Sequence, residues 1–246
     1  MRIVRGRAET IATDREATET LRSIAAGGEP AVRVWIPHRQ VAFGRRDANC
    51  TGYDRARSIA RERGFPPVER DVGGHAVAYD GETTIAFVRA EPVADVRRGT
   101  ADRYDRLTAD VERALSSVGL DLEREEPADS FCPGAHSLSI ASHAVSASGS
   151  VSGDGLRKLV GFAQRVQRDV ALAAGIVIVD ANAEFVTVFE DVYDALGIAF
   201  DPATVGSVAA AGGPDGPAPV RNALEAELVG DEPVTIESVD ELLAGG

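Results

Sequence analysis

The chain has 246 residues, 44% apolar and 26% charged, enough to bury one large core with at most a small appendix. Asp and Glu number 39 against 26 Lys and Arg, a formal charge of −13, which leaves no basic patch for nucleic acid. No stretch reaches the roughly 18 apolar residues of a membrane span, and two cysteines cannot build a disulfide framework. The first residues, Met1-Arg2-Ile3-Val4-Arg5-Gly6-Arg7, lead into polar sequence without an apolar signal core, so a reducing cytoplasm is the expected location. Lys158 is the only lysine; the other 25 cations are arginine. An acidic, nearly lysine-free chain points to a halophilic proteome, in which carboxylates keep the surface hydrated at molar salt.

In chain order, Thr13 is placed to cap a first helix over 13–25, with Ala17, Leu21 and Ile24 on one face. Alternation predicts a strand over 31–37 and a second over 40–44, and Cys50 falls in the loop that follows. A helix over 54–63 is stopped by Gly64. Strands are expected at 68–70 and 75–79, flanking Gly73-Gly74, and at 83–89. The segment 101–118 is an amphipathic helix with Leu107, Val111, Ala114, Leu115 and Val118 on its buried face.

The turn Asp129-Ser130-Phe131-Cys132-Pro133-Gly134 precedes the alternating run Ser137-Leu138-Ser139-Ile140. Pro133 fixes its own backbone and Gly134 permits a sharp bend, so the thiol is presented at a strand edge. Such a cysteine is a candidate nucleophile; the alternative is a small buried hydrophobe. Small polar residues over 144–155 read as a flexible hairpin excursion. Two buried strands (158–164 and 172–179), a helix (183–196), a Gly/Pro linker (209–219) and a small acidic tail (222–243) complete the chain. The expected division is a main domain over 1–208 and a linker with tail over 209–246. Strand pairs interrupted by helices without regular alternation predict an α+β fold with a mixed, largely antiparallel sheet.

Four segments in this order carry a resemblance: Gln40-Val41-Ala42-Phe43-Gly44-Arg45; Arg70-Asp71-Val72-Gly73-Gly74-His75-Ala76-Val77-Ala78-Tyr79-Asp80; the cysteine turn with its strand; and Lys158-Leu159-Val160-Gly161-Phe162-Ala163-Gln164-Arg165. Together they resemble the lipoate–protein ligase and octanoyltransferase family, related in fold to the catalytic domain of biotin–protein ligase. The resemblance implies that Arg70, Gly73, Gly74, His75, Ala76, Gly161 and Ala163 lie around the bound acyl chain. It implies that Cys132 takes the acyl group as a thioester. It also implies that the Lys158 ammonium bonds the acyl carbonyl or its oxyanion, a point contact that a planar guanidinium would not fit. A nearby ammonium is further expected to favour the thiolate.

Cys50 matches no motif and is read as structural; His75 and His136 are candidate bases. The activity implied is transfer of octanoyl or lipoyl groups to lysines of lipoyl domains, with 2-oxoacid dehydrogenase E2 and the glycine cleavage H protein as partners and no cofactor. The alternatives are a lipoate–protein ligase that forms lipoyl-AMP from ATP with Mg²⁺, and a non-catalytic lipoyl-domain binding protein. Two features lean away from the ligase: Asp71-Val72 and His75 in the glycine turn, and a tail too small for a full accessory domain.

The charge balance makes its own prediction. Screening at molar salt relieves carboxylate repulsion, so the melting temperature is expected to rise from low to molar salt. A thermal scan that is flat or falls across that range contradicts the halophilic reading.

Overall fold

The structure is a computed structural model that describes residues 1–70, 72–95, 97–142 and 155–245. Strand β1 (Arg2–Arg5) was not expected from so short a run, and it forms because β2 (Ala31–Trp35) and a C-terminal strand pair with it on both edges. Helix α1 (Ile11–Ala26) begins at Thr10 rather than at Thr13. The Thr10 side chain accepts from the Thr13 N–H, and the Thr13 hydroxyl accepts from the Thr10 N–H. This is a reciprocal capping box, in which Thr13 is the third helical residue. β2 stops at Trp35, two residues short of Pro37, which has no N–H to give a ladder.

Next come β3 (Gln40–Phe43), α2 (Tyr53–Glu62), β4 (Pro67–Glu69), β5 (Val77–Tyr79), β6 (Thr84–Pro92) and α3 (Thr100–Ser117). They are followed by β7 (Ser137–Ser142), β8 (Gly155–Gln167), β9 (Val170–Ile178) and α4 (Ala183–Leu196). α4 has the limits expected from sequence, because Asn182 caps it through the Phe185 N–H and Gly197 ends it in the left-handed region. Most of the hairpin excursion read over 144–155 lies outside the described residues, and so does Asp71.

The segment read as linker and tail joins the sheet instead. It holds α5 (Pro217–Val229), β10 (Thr235–Ser238) and α6 (Val239–Ala244). Val220, Leu224 and Leu228 of α5 are fully buried, and β10 pairs in parallel with β1. Their spacing of four residues is one helical stripe, buried against α3 and β2.

Seven strands form one sheet in the order β10-β1-β2-β6-β9-β8-β7, and β4-β3-β5 form a second. In the large sheet β10, β1 and β2 run parallel, and every later pairing is antiparallel. The fold is therefore α+β with a mixed, largely antiparallel sheet, as expected. Alternation along the central strands sends Phe87 and Val177 to one face, under α3 and α5. Ala86, Ile176 and Ile178 go to the other, toward the small sheet, α2 and α4. Near the N-terminal end, that second face meets α1 through Val88, Ala90 and Leu172. The two sheets and α1 thus enclose a space between them.

Candidate active site

That space is a cleft of about 610 Å³. Ala42, Val68, Val77 and Tyr79 of the small sheet form one wall, and Ala86, Val88, Ala174 and Ile176 of the large sheet the other. Arg15, Glu16 and Glu19 of α1 form a polar edge, while Phe131 and Cys132 line the cleft together with Gly161 and Ala163. The walls are apolar and the charged groups few, the pattern of a site for an apolar chain with one polar end.

Cys132 is 9% exposed and has φ +43°, a left-handed conformation that a non-glycine residue adopts only when its surroundings impose it. Two groups impose it. The Cys132 N–H donates to the Tyr193 hydroxyl, which in turn donates to the Ala76 carbonyl at 2.9 Å. Burial raises the Tyr193 hydroxyl well above its ordinary value, so it stays protonated and can bridge. The second group is Lys158, whose side chain has no exposure. Its Nζ donates to Glu126 Oε1 and Oε2 at 2.9 and 3.0 Å, to the Phe131 carbonyl at 2.9 Å and to the Cys132 carbonyl at 3.1 Å. An ammonium has three protons, so these acceptors use all of them. Burial pulls the Lys158 ammonium below its ordinary value, and the Glu126 carboxylate opposes that pull. Glu126 also accepts from the hydroxyls of Ser130 and Ser137. A register shift between Leu138 and Ser139, where β7 faces Lys158, accompanies the contact.

The fold brings Cys132 and Lys158 together. The ammonium grips the carbonyls of the cysteine turn, while the cation on the sulfur is Arg70, with Nη2 at 3.1 Å from Sγ. The same Nη2 donates to the His75 carbonyl at 2.6 Å. The His75 ring turns to Asp47, with Nδ1 at 2.8 Å from a carboxylate that also accepts the Gly44 N–H. His136 stacks on Tyr104 with ring centroids 4.3 Å apart. Ala76 is buried in the core, and Gly161 and Ala163 form cleft wall. Cys50 is only partly buried and its thiol donates to the Arg46 carbonyl. Among the described residues, no three His, Cys, Asp or Glu side chains gather as a metal site.

Sequence reasoning missed Glu126, Tyr193 and Asp47. Glu126 is one of three acids in Glu123-Arg124-Glu125-Glu126, and nothing local marks it out. Tyr193 sits in the apolar phase of α4 and reads as core. The paired glycines also divide. A Cβ on Gly74, which has φ +91°, would lie 2.4 Å from Cys132 Sγ and 2.7 Å from Arg70 Nη2, whereas one on Gly73 meets nothing within 4 Å. Gly74→Ala is accordingly expected to cost about 1–2 kcal/mol in backbone strain alone and to displace the sulfur, while Gly73→Ala leaves folding and thiol reactivity near wild type. Denaturant titration and thiol alkylation of both variants check this; equal effects would contradict the assignment.

Comparison with known proteins bears on the whole arrangement. Residues 8–227 match the family described as the lipoyl protein ligase A/B catalytic domain. An octanoyl-GcvH:protein N-octanoyltransferase of Exiguobacterium sibiricum is 33% identical over 127 residues, covering 50% of this chain and 44% of that protein. An enzyme of the same name from Lysinibacillus sphaericus is 24% identical over 76% of this chain and 61% of its own length. The chain thus spans about half the length of the curated relatives it matches. Among solved structures, a bi-partite lipoate protein ligase from Thermoplasma acidophilum superposes with a TM-score of 0.66 at 17% identity, over 99% of this chain and 90% of that one. The chain belongs to the lipoyl protein ligase A/B catalytic domain family.

Proposed function

We propose that this protein is an acyltransferase that moves octanoyl or lipoyl groups onto lysines of lipoyl domains through a thioester on Cys132. The observation that carries this is a cysteine in a left-handed turn, lining an apolar cleft, with a guanidinium on its sulfur. An acyl chain fits the cleft with its carbonyl beside Sγ. In the first step a sulfur–carbonyl bond forms and the bond from that carbonyl to the donor lysine breaks. The donor leaves as an amine, taking up one proton, which balances the one the thiol loses on ionising. In the second step the acceptor lysine amine attacks the thioester, the carbon–sulfur bond breaks, and a proton returns to sulfur. Two easier acyl transfers replace one amide exchange, with no nucleotide consumed.

The names of the relatives support an octanoyl group carried by GcvH on one side of the exchange, and other lipoyl domains, such as those of 2-oxoacid dehydrogenase E2, on the other. Lys158 acts by holding the turn, and Arg70, Gly161 and Ala163 by bordering the chain. A cytoplasmic, high-salt setting fits the acidic surface and the free thiols.

Intact-mass analysis after incubation with an octanoylated carrier domain tests the proposal. Wild type and Cys50→Ser are expected to gain one octanoyl group that hydroxylamine removes, and Cys132→Ser to lose both adduct and transfer. Lys158→Arg, with a fork where three acceptors need a point donor, is expected to lose transfer on the order of 10²-fold while still folding. Full transfer by Cys132→Ser that requires ATP would assign the protein to the ligase reading instead.

A further inference from the structure

The charges around the sulfur do not balance in the way the single lysine suggests. Lys158 is offset at 2.9 Å by Glu126. Asp47 spends its oxygens on the Gly44 N–H and on His75 Nδ1, not on Arg70. Burial raises Tyr79, Tyr104 and Tyr193, which therefore stay uncharged. Arg70 is the remaining group, and the groups acting on it are Cys132, Tyr79 and Tyr193. No carboxylate pairs with it among the described residues. Its Nε is buried without a hydrogen-bond partner, and its Nη2 divides its two protons between the His75 carbonyl and Sγ. Gly74 leaves room for that contact, since a Cβ there would meet both partners.

We propose that Arg70 is a catalytic residue: its guanidinium pairs with Cys132 as a thiolate and so makes the nucleophile, while Lys158 and Glu126 only fix the turn. A cation at hydrogen-bond distance favours the charged form of sulfur, and one already neutralised by its own carboxylate contributes little. This assignment rests on Cys132 being the nucleophile proposed above.

The test is the rate of alkylation by iodoacetamide in a Cys50→Ser background. At neutral pH, Arg70→Gln is expected to slow alkylation of Cys132 by about tenfold or more, and Arg70→Lys, which returns a cation, to recover part of the loss. At strongly alkaline pH the three rates converge, because every thiol is then ionised; a merely structural effect would persist there. An Arg70→Gln rate equal to wild type at neutral pH overturns the proposal, and so does an Arg70→Lys variant no faster than Arg70→Gln. Should Arg70→Gln fail to fold, the ultraviolet thiolate absorbance of the Cys50→Ser protein at neutral pH decides. It must be present in the native state and lost on unfolding, and its absence overturns the proposal. No acyl donor enters these measurements, so their failure is separate from failure of the transfer reading.

Discussion

The fold keeps one ammonium out of water and spends it on a turn. Desolvating Lys158 is costly unless every proton finds an acceptor, and here Glu126 and two backbone carbonyls supply them. Ser130 and Ser137 in turn satisfy the carboxylate, so the network is closed at both ends. What it holds is the left-handed backbone at Cys132, a conformation that costs on the order of 1–3 kcal/mol and persists only when over-determined. Tyr193 pins the same residue from the opposite side through its N–H. A chain that uses arginine everywhere else retains lysine where three acceptors converge on a point.

The cleft depends on the same economy of small contacts. Gly74 lets the sulfur and Arg70 meet, and Gly44 lets the turn that carries Gly74 settle, since a Cβ on Gly44 would fall 1.9 Å from the Gly74 carbonyl. Across the large sheet, Gly175 lies opposite both Phe87 and Phe162, and a Cβ there would meet the Phe87 ring at 2.3 Å. Function here is a matter of where rigid strands end and how closely two sheets approach. The groups gathered at the sulfur then come from different parts of the chain: Arg70 after β4, Cys132 before β7 and Lys158 on β8.

Features written in local chemistry were legible in the sequence. Asn182 and Gly197 bound α4 at the expected residues, and the apolar runs at 158–164 and 172–179 located β8 and β9 although not their full length. Features written in tertiary contact were not. β1 owes its existence to partners on both edges, and α5 is set in the core by a stripe that composition disguised as tail. In the site, Cys132 and Lys158 stood out as rare residues in motif positions. Which cation touches the sulfur did not: the resemblance set Arg70 beside the acyl chain, and only the fold carries it across 62 residues to Cys132 Sγ. The Gly73-Gly74 pair shows the same limit: the dipeptide is visible, but only Gly74 is constrained.

The central claim is that the lysine network fixes the cysteine turn while the sulfur serves the cleft. A crystal structure of the acylated protein tests both halves together. The account predicts an octanoyl chain running from Cys132 Sγ between the two sheets, with Lys158 still bonded to Glu126 and to the Phe131 and Cys132 carbonyls. A chain lying outside that cleft, or a Lys158 ammonium turned from Glu126 onto the thioester oxygen, would contradict it.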